Sequence, residues 1–469
     1  MLLSYKQHPM ATIKKDTFLK GLPHGIPADQ EDALWGDSLF LRPKDHRRWL
    51  AHFITVEYAL ARLLAGWIPA CGNLQWKLHL PRLMVENMQR ARRMRERYDE
   101  LGATDAPIAP SGQVAAFIEG IARSDHGASF VTALLGQVMP ALSRAYEAYI
   151  SRSDEIFDAP TLYILRINQP EVDRAVAWGR DFLAANPLAP ADAAASQAYA
   201  AYVGEAIAAV GGLSPDDFDK PVTWPANPVK VPAGPNPAVR TQDPHLRLIA
   251  GFPNTKEGNP TKFTLREIVY HNATEWQVID PMCEIFYGLT NMPMDFFVDF
   301  SRHIWDECRH SMMGFRRLKE LGYNIDDFDF SHGMERLTVL EDYFAGLTLI
   351  GEACSFTRKK GSIPLFLKKG DDRSAMLPEV DCSDEQLHVG FGHKWVTKIY
   401  ESVKGASDSR EEIARRHRRT FFERTLEGTG TSHTKEMLAQ LDEKAREDLI
   451  NSFSGFCGTI EFKMDMTVY

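Results

Sequence analysis

Apolar residues recur every three to four positions along most of the chain, and few windows alternate with period two. That pattern predicts helices almost throughout. Two long helices are expected between residues 43 and 101, the first capped near Asp45 and running to Ile68, the second running from Leu80 to a stop at Gly102. Further helical patterns cover 112–123, 128–153, 169–185 and 191–210, while the stretch after Asp158 reads equally as helix or extended chain. Ten of the 27 prolines then fall between Leu213 and Pro260. Proline lacks the amide donor and fixes φ, so this stretch is expected to be a connection draped over the surface. Four more helices follow. Thr264 and Glu267 form a capping box opening the first, which runs to Gly288 with a kink at Pro281. The second runs from Pro293 to Gly322, and the third from Met334 to Lys360 with a stop at Gly361. The fourth is capped by Asp381 or Ser383 and runs to Val403. The rest is charged and helical apart from 425–432 and the last dozen residues. The predicted fold is all-α: a helical domain over 1–212, a proline-rich connector over 213–262, a four-helix unit over 263–406 and a helical extension over 407–469.

Composition narrows the function classes. The chain is 44% apolar and 25% charged, which excludes a disordered protein, a collagen or a coiled-coil rod. With 54 basic against 63 acidic residues the formal charge is −9, so no global field draws it to nucleic acid. The basic runs at 90–97 and 415–419 read as solvated helix faces. Six cysteines without a C-x-x-C spacing predict free, buried thiols in a reducing compartment. No uncharged apolar run reaches about 18 residues, and the first residues lack a signal-peptide core. A cytoplasmic location without a membrane partner is the expectation; a homodimer is compatible with this composition.

The residues that carry chemistry are glutamates and histidines. Glu307/His310 and Glu385/His388 each form an E-x-x-H pair, which a helix places on one face whatever its role, so either alone reads as a surface contact. Their arrangement says more. Glu275 lies 32 residues before Glu307 and Glu352 lies 33 before Glu385, each on the preceding helix. Four carboxylates and two imidazoles on four successive helices are the ligand set of a dinuclear site in a helical bundle. Glu352 sits in the apolar run LTLIGEA and Glu275 beside Trp276, Val278 and Ile279, where a carboxylate is costly unless paired or metal-bound. Buried salt bridges are the alternative. His303 falls at i, i+4, i+7 with Glu307 and His310, and reads as an extra ligand or as a core histidine supporting one. His271, one turn before Glu275, is placed to donate to that carboxylate.

This pattern resembles the ferritin-like di-iron carboxylate superfamily, which includes rubrerythrins, bacterial multicomponent monooxygenases, N-oxygenases and tRNA hydroxylases. The segments WDECRHSMMG (305–314) and DEQLHVGFG (384–392) are similar to a poorly characterised branch of it. The resemblance covers 264–403. It implies a ferritin-like bundle with two iron ions, or a Mn/Fe pair. Glu275, Glu307 and His310 would hold one, and Glu352, Glu385 and His388 the other, with one or two of the glutamates bridging. It further implies an oxygenase or oxidase that uses O₂ to hydroxylate or N-oxygenate a small organic substrate. No reductase motif is visible, so an external electron donor is expected. The alternatives are an iron-binding ferroxidase with no organic substrate, and an RNA-modifying hydroxylase.

The N-terminal half reads as a metal-free copy. Glu57 precedes Glu86 by 29 residues, with Gln89 where a ligand histidine would stand. Glu100–Gly102 matches Glu320–Gly322, LLGQV (134–138) matches LIGEA (349–353), and AVAWG (175–179) matches HVGFG (388–392). Gln137 and Ala175 then replace Glu352 and His388.

Overall fold

The computed structural model describes residues 41–71, 73–102, 112–230, 235, 268, 272–324, 339–405, 408–429, 436 and 439–451. Among these there is no β-strand, and the fold is an all-α helical bundle. The first half is built from α1 (Pro43–Trp67), α2 (Leu74–His79), α3 (Pro81–Glu100), α4 (Gly112–Ala122), α5 (Gly127–Ala133), α6 (Met139–Arg152), α7 (Ala159–Ala185) and α8 (Pro190–Val210). The second half holds α9 (Ile279–Gly288), α10 (Met294–Glu320), α11 (Leu340–Ala345), α12 (Glu352–Lys368) and α13 (Asp372–Lys404). Two further helices follow, α14 (Arg410–Thr429) and α15 (Glu443–Asn451).

The helix starts follow local chemistry. Asp45 accepts the Arg42 amide at 2.9 Å, closing the first turn of α1 from three residues inside it. The ambiguous stretch after Asp158 is helix, and α7 continues through Pro170. Several expected boundaries move. The Thr264/Glu267 capping box lies outside the described residues. Pro281 falls in the first turn of α9, after a 3₁₀ turn at Glu275–Val278, and so marks a start instead of a kink. Gly361 does not end the third helix, because α12 continues through it and Pro364 to Lys368. Neither Asp381 nor Ser383 caps the fourth. Asp371 does so, accepting from the Ser374 amide at 2.9 Å and bound by Arg317 at 2.9 Å, while Asp381 is buried mid-helix. Thr425–Thr429 belongs to α14.

The two halves share one apolar core. Helix α1 packs on α3 and α9, and α3 packs on α10. The segment Pro43–Ala70, which carries Glu57 and Arg62, is by length and composition long and apolar enough to cross a membrane, and 83% of its most apolar window is buried inside the bundle. Arg62 of α1 reaches across to the Tyr287 and Leu289 carbonyls, the latter at 2.9 Å. Lys77 meets Asp280 at 2.7 Å with both side chains buried. Of the expected connector, residues 221–230 are non-helical and lie along the first half, with Trp224 against Phe117. Cys71, Cys283, Cys308, Cys354 and Cys382 are buried, and among the described residues none forms a disulfide.

Three features recur in both halves. Helices α3 and α10 end at a glycine with positive φ, Gly102 (75°) and Gly322 (83°). A π-helical segment interrupts the third long helix of each half, at Leu134–Val138 and Gly346–Gly351. The third feature is a glycine without room for a side chain. A Cβ on Gly179 would stand 2.8 Å from Leu135, and one on Gly392 would stand 2.6 Å from Thr348. Both neighbours lie in the π segments.

His52, buried in α1, bonds the Leu213 carbonyl at 3.0 Å, and burial pushes its pKa down to about 4. The unfolded chain takes up this proton near pH 6.5, so the contribution of a neutral His52 is present above that pH and is lost on descending toward 4. Its full size is roughly 3 kcal/mol. Denaturant midpoints between pH 7 and 4.5 should fall less steeply for His52→Gln than for the natural chain; parallel curves would show that His52 does not report on this limb.

Candidate metal centre

Helix α10 turns one face inward through Phe296, Phe300, His303, Glu307, His310 and Gly314, the three-and-four spacing of a buried stripe. Helix α13 does the same through Asp381, Glu385, His388 and Gly392. Glu352 opens α12 directly after the π segment, and Lys359 follows it two turns later, also buried. Glu275 comes from the 3₁₀ turn before α9.

These side chains form two adjoining groups, each offering donor atoms within 4.8 Å of one another: His303, Glu307, Glu352 and His388 in one, and Glu275, His310 and Asp381 in the other. The first group is tight. His303 Nε2 lies 2.6 Å from Glu352 Oε1 and 3.3 Å from Glu307 Oε1, and His388 Nδ1 lies 3.4 Å from Glu307 Oε1. The two imidazoles stack with centroids 3.8 Å apart. Both nitrogens of His303, His388 Nδ1, Glu307 Oε1 and both oxygens of Glu352 are buried without a hydrogen bond of acceptable geometry. Donor atoms that approach this closely yet do not bond one another converge on a shared point. Ligands at about 2.1 Å around a four-coordinate ion stand about 3.4 Å apart; the 3.3 and 3.4 Å contacts are on that scale, and the His303–Glu352 contact at 2.6 Å is shorter.

Each E-x-x-H pair is preceded by an aspartate, and these cross over. Asp306 of α10 lies 3.4 Å from His388 Nε2 on α13, and Asp384 of α13 lies 3.2 Å from His310 Nε2 on α10. Each carboxylate holds the outer ring nitrogen and turns Nδ1 toward the centre, the support that metal-bound histidines receive. Arg302 (2.7 Å) and Arg309 hold Asp306 in turn. Burial alone would raise the Asp306 carboxyl, but hydrogen bonds from His388 and Arg302 keep it at about 2. Burial would likewise depress His388, yet Asp306 and Glu307 push it up to about 10. His303 is raised against burial by Glu352. Glu307 lies well below its usual range, because the nearby imidazoles of His303 and His388, with His310, outweigh its burial.

The second group is organised differently. Lys359 Nζ stands 2.9 Å from Glu275 Oε1, 2.8 Å from Asp381 Oδ1 and 2.5 Å from Glu385 Oε1. Asn272 donates to Asp381 at 2.9 Å and Ser355 to Glu385 at 2.6 Å. His310 Nδ1 faces Glu275 Oε2 at 3.0 Å. Burial raises Asp381 to about 6 and Glu385 to about 7, with Lys359 opposing in both.

The expected ligands therefore gather at one place but divide otherwise than the resemblance implied. Glu307 stands with Glu352, His388 and His303, while Glu275 stands with His310. Glu385 belongs to neither group; its carboxylate is taken by Lys359 and Ser355. His303 lies inside the first group, in contact with Glu352, and His271 lies outside the described residues. Sequence reasoning missed Asp306, Asp384, Asp381 and Lys359. The shared D-E-x-x-H of the two helices was a usable signal for the first two. Lys359 had none, since nothing local distinguishes it from Lys360.

In the first half, Glu57 is fully buried and paired with Arg90 through two bonds of 2.6 and 2.9 Å, and Tyr146 donates to it at 2.6 Å. Glu86 lies at the surface with Arg82, and Ala175 is apolar core. Among the described residues of this half no three His, Cys, Asp or Glu donors gather within 4.8 Å of one another.

Residues 220–448 match a protein family described as being of unknown function (DUF455). The match begins in the proline-rich stretch and runs through both D-E-x-x-H helices. No curated protein and no solved structure matches the chain significantly.

Breaking the Glu57–Arg90 pair leaves a buried charge alone. Arg90→Met and Glu57→Gln should each cost about 3–5 kcal/mol, and the double variant less than their sum. Urea denaturation of the four chains measures this; additive losses would mean the pair is not coupled.

Proposed function

We propose that this chain is a metal-dependent oxidoreductase of ferritin-like type. A redox-active ion, iron by donor chemistry, would be held by His303, Glu307, Glu352 and His388. The observation that carries this reading is the set of buried donor atoms crowded within 4.8 Å and lacking hydrogen-bond partners. Two imidazoles and two carboxylates suit ferrous and ferric iron alike, and the 2-His-carboxylate donor set is the one used by non-haem iron oxygenases. When bound, iron would supply one-electron chemistry and a binding position for O₂, directed at a small organic substrate with electrons from a separate donor.

The protein's own part is positioning. Asp306 fixes the His388 ring and keeps Nδ1 free. Phe300 packs edge-on against His303, and Phe391 covers both imidazoles, so the ligands meet in a space closed to bulk water on that side. The cost of desolvating Glu307 and Glu352 is recovered when a cation joins them.

Elemental analysis of chain expressed with iron tests this directly. His303→Ala and Glu352→Gln should each lose the metal while keeping their helical circular dichroism, and Glu86→Ala should keep it. A natural chain without metal, or equal losses in all three variants, sinks the reading. Asp306→Asn should weaken iron binding about 10- to 100-fold in a chelator competition; unchanged affinity would separate Asp306 from the centre.

A further inference from the structure

The ligand pattern asks for two metal ions, yet one of the two positions already contains a cation. We infer that the centre takes a single metal ion, at His303, Glu307, Glu352 and His388, and that the ammonium group of Lys359 occupies the second cation position permanently. This rests on the metal reading above.

The two groups differ in how their donors are satisfied. In the first, neither oxygen of Glu352 and no nitrogen of His303 makes a hydrogen bond. Around Lys359, five of the six oxygens of Glu275, Asp381 and Glu385 accept one, while the sixth, Glu275 Oε2, faces His310 Nδ1 at 3.0 Å and neither atom makes a hydrogen bond. Lys359 donates to one oxygen of each residue, Asn272 to the other of Asp381 and Ser355 to the other of Glu385. An ammonium has three N–H donors and no acceptor, and here each donor has its own carboxylate. The three carboxylates around Lys359 are thus already answered by a cation that donates to each of them.

Geometry also argues against adding an ion. The carboxylate oxygens stand 2.5–2.9 Å from Nζ, whereas a divalent ion draws carboxylate oxygens to about 2.0–2.2 Å. A second ion would have to expel Lys359 from three ion pairs, and its side chain is only 3% exposed. The first half supplies a parallel. Glu57, which the internal alignment matches to Glu275, is met by the buried guanidinium of Arg90. In both halves an internal basic side chain stands against that glutamate.

The test is a stoichiometry. Apo protein prepared with a chelator is titrated anaerobically with ferrous ion, bound iron is counted per chain, and the oxidised product is examined by electron paramagnetic resonance. One equivalent, giving the signal of an isolated ferric ion, is expected for the natural chain, and Glu275→Gln should still bind one. Lys359→Ala vacates the second position beside three carboxylates and His310, and its capacity should rise toward two. Two equivalents in the natural chain, with a spin-coupled silent pair and one ion lost in Glu275→Gln, would overturn the inference. So would a folded Lys359→Ala chain that stays at one. If Lys359→Ala does not fold, the natural chain and Glu275→Gln still decide. No iron bound at all would overturn the metal reading, and this inference with it, a result distinct from two.

Discussion

Negative charge taken out of water must be answered at close range, and the architecture depends on how that demand is met. Burying an isolated, ionised carboxylate costs an amount comparable to the whole stability of a domain. Here Glu57, Asp280, Asp381, Glu307, Glu352 and Glu385 all lie in the interior. Arg90 answers the first, Lys77 the second, and Lys359 both Asp381 and Glu385. Glu307 and Glu352 have only imidazoles beside them. There the answer comes from imidazoles, which are cations only while protonated, whereas Lys and Arg answer the other four.

The helices were legible because periodicity is a local property. The inward faces of α10 and α13 repeat at three and four residues, so Glu307/His310 and Glu385/His388 had to share a face with the apolar core. Proline and glycine were less reliable markers. Pro170, Pro364 and Pro378 sit inside helices, and Gly361 is passed without a break, because tertiary packing overrides a propensity of one to three kcal/mol. The partition of the ligands was not legible at all. Which carboxylate meets which histidine depends on the rotation of one helix against another, and the reach of Lys359 across to α13 leaves no trace in its neighbours.

The π segments bear on how such a site is placed. An extra residue in one turn shifts the following stretch around the helix axis, and Glu352 follows immediately after such a turn. The corresponding segment of the first half is followed by Met139, within an apolar core. The backbone device is therefore independent of metal chemistry: one half uses it to aim a carboxylate, the other to fit side chains around Gly179. The halves also share helix contacts through α1, α3, α9 and α10, so the first half forms part of the wall that holds α10 in position.

The crossed aspartates have a mechanical consequence. Because Asp306 grips the histidine of α13 and Asp384 grips the histidine of α10, the two helices engage like meshed gear teeth. Advancing either by a single residue would swing its side chains by about 100° and disengage both contacts together. Insertions or deletions between Asp306 and His310, or between Asp384 and His388, therefore have no partial solution. The same meshing ties the pitch of one helix to that of the other, so a tilt begun at one end of α10 is felt at α13 through His388 and His310.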